Sequence, residues 1–104
     1  MMKIIQELSE HIEDEIKDAA CYAKMALKCK AEYPSLAETF YSLSIDETGH
    51  MNALHEEVVK LINTYKKDHG EPPAAMLAVY NYLHKRQIEQ AKEAKIYQTM
   101  YEEK

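Results

Sequence analysis

The sequence predicts an all-α fold: an antiparallel bundle of three long helices, forming one domain over residues 1–104. Three observations predict it. Glycine occurs twice and proline three times, while Ala, Glu, Lys, Leu and Met are plentiful. Apolar residues recur at three- and four-residue spacing over runs of about thirty residues. The helix breakers fall in two clusters, Tyr33-Pro34-Ser35 and Asp68-His69-Gly70-Glu71-Pro72-Pro73. A chain of this length builds one core and is too short for two.

The first helix is expected from about Met2 to Glu32. Its apolar positions fall on two heptad rows, Ile5, Ile12, Ala19, Ala26, Tyr33 and Leu8, Glu15, Tyr22, Cys29, with Ile16 and Ala23 alongside. Glu15 interrupts the second row, where Leu8 and Tyr22 predict an apolar residue. Lys3, Glu7, Glu10, Asp14, Lys17, Lys24 and Lys28 form the solvated side.

Pro34 disfavours helix in the residue before it and suits the first turn of a new helix. The second helix therefore runs from about Pro34 to Lys67. Its predicted inward rows are Phe40, Glu47, Leu54, Leu61 and Leu36, Leu43, His50, flanked by Met51, Val58 and Tyr65. Glu47 and His50 alone interrupt them. Gly49, opposite the predicted core, leaves room for a close neighbouring helix or a local bulge.

Gly70 can take the left-handed conformation that ends a helix, and the prolines open the next. The third helix runs from about Pro73 to Tyr101. Met76, Leu77, Tyr80, Leu83, Ile88, Ala91, Ala94 and Tyr101 form its predicted apolar side, with His84 and Gln87 inside the stripe. Both connections are short, which makes neighbours antiparallel and the order up-down-up. Helices of this length are about 45 Å long and share a narrow core. A homo-oligomer, dimer or larger, is expected to bury more of it.

Charged residues make up 30% against 46% hydrophobic, the composition of an ordered chain. The formal charge is −5 and no basic run occurs, so no nucleic-acid partner is expected. No apolar run approaches a membrane span, and Met1-Met2-Lys3-Ile4-Ile5-Gln6-Glu7 has no signal-peptide core. A cytoplasmic location follows as the expectation. Cys21 and Cys29, eight residues apart on one helix, stand about 12 Å apart along its axis, too far for a mutual disulfide.

Folding the first two helices about Pro34 levels residues whose numbers sum to about 67. Glu47 then faces Ala20, His50 faces Lys17, and Glu15 and Asp18 bracket that height. Glu15, Glu47 and His50 are expected to meet in the core within one helical turn. One carboxylate plus Glu-x-x-His is half of the donor set of di-iron bundle sites, and oxygen with imidazole suits iron, manganese or zinc. A buried carboxylate without a partner costs several kcal/mol or takes up a proton. The alternative is a hydrogen-bonded Glu–His pair with no metal.

Three further residues are secondary candidates. Asp18 lies one turn from Glu15. Folding about Gly70 levels Glu93 with Glu47, although Glu93 points away from the apolar stripe. His84 lies inside the stripe near the level of Glu56 and Glu57, where a Glu57–His84 pair is the simpler expectation.

Glu15-x-x-Asp18-x-x-x-Tyr22 followed by Glu47-x-x-His50 resembles the first two helices of the ferritin-like superfamily, above all its rubrerythrin branch. The resemblance covers roughly residues 4 to 67. It implies that Glu15 bridges or caps an iron pair and that Glu47 and His50 complete a half-site. Four-helix members carry a long crossover and a second Glu-x-x-His; this chain has a short second loop, and only Glu47 has a histidine three residues on. It is therefore more similar to the small encapsulated ferritins, in which two chains build the site across a two-fold axis. The implied function is iron binding with ferroxidase-type chemistry. The alternatives are a helical interaction or scaffold module, or a degenerate ferritin-like domain without metal.

Overall fold

The computed structural model describes residues 2–103; Met1 and Lys104, included in the predicted domain, lie outside them. Among the described residues all regular structure is helical: α1 spans Met2–Cys29, α2 Pro34–His69 and α3 Ala74–Glu102. Pro34 opens α2 as expected, and the Tyr33 carbonyl accepts from Ala37 N at 2.9 Å. Gly70, at φ 79°, turns the chain out of α2 while its N–H still bonds the Lys66 carbonyl at 2.9 Å. Among the described residues no helix is long and apolar enough to cross a membrane.

The order is up-down-up. Ala19 lies beside Ser44 and Tyr22 beside Phe40, so α1 and α2 are antiparallel. Ser9 lies beside Gln87, Lys24 beside Glu93 and Lys30 beside Tyr101, so α1 and α3 are parallel. α1 packs closely on both neighbours, whereas the α2 and α3 backbones approach at few points. The rod measures 56 × 19 × 17 Å.

The core has two parts. Toward the Gly70 turn, Ile5, Ile12, Ile16, Val58, Ile62 and Met76 form an aliphatic cluster. Toward the Pro34 turn the buried residues are small: Ala19, Ala23, Ala26, Ala37 and Ala94. Small side chains let helix backbones approach closely at that end.

This packing corrects the expected faces of α2 and α3. The buried row of α2 is Ala37, Ser44, Val58 and Ile62, while Leu36 is 46% and Leu43 38% exposed. The leucines sit on the flank because the small residues take the line of closest approach to α1. On α3 the buried residues are Met76, Gln87, Ala94 and Gln98, and Ile88 is exposed. In α1 the Ile5–Ala26 row is buried, but Tyr33, past its end, is exposed. Cys21 is exposed and Cys29 buried, both free.

Candidate metal centre

At 100° per residue, the α2 side chains that reach α3 (Tyr41, Ser44, Thr48 and His55) point to one side of α2. Glu47 and His50 point to the other, and Glu15 leans the same way from α1. The cluster therefore lies in the groove of the α1–α2 pair on the flank turned away from α3. This corrects the expectation of a fully buried site. The Glu47 side chain is 17% exposed, that of Glu15 27% and that of His50 61%. One heptad away on either side are apolar neighbours. Leu8 and Leu54 pack against the aliphatic core, and Tyr22 stacks on Phe40 with ring centroids 6.1 Å apart.

His50 Nδ1 lies 3.5 Å from Glu15 Oε2 and 3.8 Å from Glu47 Oε1. One ligand atom from each of the three residues falls within 4.8 Å of the others. Glu15 Oε2 is inaccessible to water and has no hydrogen-bond partner, although its residue is only half-buried. An orphaned carboxylate oxygen is costly unless a cation completes it. Bonds of about 2.0–2.2 Å to oxygen and nitrogen bring ligand atoms about 3 to 4 Å apart. A modest side-chain contraction reaches that spacing, so the residues fit a divalent metal. Among the described residues three ligands come together here, and the exposed His50 ring leaves one side of the group open.

The secondary candidates stand elsewhere. Asp18 is exposed and does not join the group. Glu93 lies on the α1–α3 side, 3.6 Å from Lys24 Nζ, and accepts from the Tyr97 hydroxyl. The expected Glu57–His84 pair is not formed: Glu57 is exposed and reaches Lys60 at 3.1 Å. His84 instead stacks on His55 at 4.6 Å and on Tyr80 at 5.6 Å.

No protein-family model, curated protein or solved structure matches the chain.

Sequence reasoning passed over two polar groups that the structure brings inside. His55, unassigned from the sequence, is half-buried between α2 and α3. Burial, and then the neighbouring His84, hold its imidazole below the ordinary histidine range, against a smaller opposing effect of Glu56. Gln98 is buried and donates to Ser44 Oγ at 2.9 Å and to Thr48 Oγ1 at 3.2 Å. Its position four residues past Ala94, on the same face, was the available signal.

Proposed function

We propose that the chain is a ferritin-like iron-binding protein in which two copies, apposed on the open α1–α2 flank, complete one di-iron site with ferroxidase activity. The observation that carries this reading is the convergence of Glu15, Glu47 and His50 around a buried Glu15 Oε2 that makes no hydrogen bond. Two copies would contribute four carboxylates and two histidines, the donor set of di-iron carboxylate bundles.

Ferrous iron is the substrate and dioxygen the oxidant. Glu15 and Glu47 supply hard anionic oxygen, and His50 supplies the nitrogen ligand. The Leu8–Leu54 and Tyr22–Phe40 layers limit water above and below the ligands, which strengthens their electrostatics. Leu36 and Leu43 extend the apolar flank that a second copy would cover. The 61% exposure of His50 in one chain leaves its ring free to face the partner.

The test is iron loading without air, followed by admission of air. Wild type is expected to bind about one iron per chain, run as a dimer or larger, and develop near-ultraviolet ferric absorption. Glu47→Ala should do neither of the iron steps. Wild type that matches Glu47→Ala refutes the reading. The exposed leucines also favour a second reading, an interaction module without chemistry. In that case Glu15→Leu and His50→Leu leave association intact and iron is irrelevant to it.

A further inference from the structure

On the side of α2 away from the Glu15–Glu47–His50 cluster, α2 and α3, with Ile12 of α1, line a half-open cavity of about 120 Å³. His55 and His84 form part of its wall, with Ile12, Met51, Asn52 and Gln87 among the rest, and no residue lining it carries a fixed charge. The two imidazoles stack face to face, 4.6 Å between centroids and 21° between planes.

We propose that the His55–His84 stack is an acid-sensitive latch. With both rings neutral it closes the first half of α3 onto α2; protonation of the pair releases that half and opens the cavity between the helices. The proposal is independent of the metal centre.

The physical ground is the geometry. Two neutral rings at this separation attract, whereas two imidazolium rings repel across a half-buried, poorly hydrated gap. The groups around them do little to offset that repulsion. From α1 the wall is the uncharged Ile12. From α2 the one acting carboxylate is Glu56, which is exposed and ranks below burial and His84 in its effect on His55. From α3, Tyr80 stacks on His84, and burial raises its hydroxyl pKa, so it stays neutral; Lys85 is an exposed cation beside it in the chain.

The rest of α3 is unevenly fastened. Its second half is held by the Gln98–Ser44 and Gln98–Thr48 bonds, the Lys24–Glu93 pair and the Lys30 contact with the last carbonyls. Its first half has Met76 in the core, Tyr80 packed against it, an Arg86–Glu13 pair at 3.7 Å and, at its inner end, the Gln87 amide donating to the Ser9 carbonyl at 3.4 Å. The Gly70 turn adjoins that first half, and α2 and α3 backbones approach at few points. Release would therefore be local.

Hydrogen exchange of the full chain, read by mass spectrometry at about pH 7.5 and pH 5 and corrected for intrinsic rates, tests this. Opening coupled to protonation of the pair should weaken protection of residues 77–86 once pH falls below about 6.5, by up to about tenfold per pH unit for each proton taken up, with residues 92–100 unaffected. His84→Phe keeps an aromatic ring without a charge and should abolish the pH effect, while His69→Gln should retain it. Equal loss across α3, or the same loss in folded His84→Phe, overturns the proposal. If that variant does not fold, wild-type imidazole titration by NMR decides. Coupled titration of His55 and His84 supports the latch, and two independent titrations near the free-histidine value of about 6.5 overturn it.

Discussion

Ser44 has no exposed surface and no unpaired polar atom. Its Oγ–H donates to the Ala19 carbonyl at 2.6 Å and its oxygen accepts from Gln98. Ser44→Ala removes the acceptor and leaves the Ala19 carbonyl short of a partner. A loss of about 1–2 kcal/mol in urea unfolding is expected. Ser44→Ala with Gln98→Leu should cost less than the two single changes together, because the Ser44–Gln98 bond that each change removes is then lost only once. Glu15 is the opposite case, its Oε2 buried without a hydrogen bond and with only His50 Nδ1 facing it at 3.5 Å. Glu15→Leu should raise the stability of the metal-free chain by about 1 kcal/mol and abolish iron binding. Unchanged iron binding in Glu15→Leu would remove Glu15 from the site. Neither polar group was equally legible. Glu15 announced itself by interrupting an apolar row, whereas Ser44 lay in a row that the neighbouring leucines concealed.

α2 runs unbroken through Gly49, with no bulge, and a Cβ built there meets nothing within 4 Å. Gly49→Ala is therefore expected to stabilise the chain by about 0.5–1 kcal/mol, read as a higher urea midpoint. A destabilised Gly49→Ala would mean that something covers this side of α2. α3 has no basic residue in its last turn. Lys30, beyond the end of α1, supplies that charge from across the bundle. Its Nζ donates to the Tyr101 carbonyl at 2.5 Å and to the Glu103 carbonyl, and sits 5.2 Å from the Tyr101 ring. Lys30→Ala should fray residues 98–103, seen as faster amide exchange, for about 0.5 kcal/mol. The helices themselves were legible, with ends displaced by one to three residues. Their start and stop signals are local: Pro34, Gly70 and the Pro72-Pro73 pair act on the backbone beside them.

The whole rod has two unequal sides. The α1–α2 flank carries the Glu15–Glu47–His50 cluster among exposed leucines, and the α2–α3 side carries the histidine stack. Leu43→Glu should weaken self-association about tenfold or more in sedimentation, because it places a charge on the proposed contact face. Stability should also fall on acidification. The folded pKa of His55 lies below its unfolded value of about 6.5, so the unfolded chain binds more protons in that range. The contribution is present in full above the unfolded value and is lost as pH falls from there through the lower folded one. His55→Phe should flatten the dependence of the urea midpoint between about pH 7.5 and 5.5.

The sequence by itself determined three helices, their breaks, the up-down-up order and the common height of Glu15, Glu47 and His50. Each follows from local backbone preference or from counting residues about a turn. The buried row of α1 was legible too, whereas only the tertiary structure decided which stripes α2 and α3 bury. Periodicity marks an apolar arc but not which neighbour covers which part of it. Here Ala19, Ala23, Ala26, Ala37 and Ser44 draw α1 and α2 into close approach, and that displaces Leu36, Leu43 and the acidic–histidine cluster to the open flank. α3 was the least legible because its polar and apolar residues are hardly segregated around the helix. Its two buried glutamines are satisfied only by partners on α1 and α2, and sequence periodicity carries no signal for that pairing.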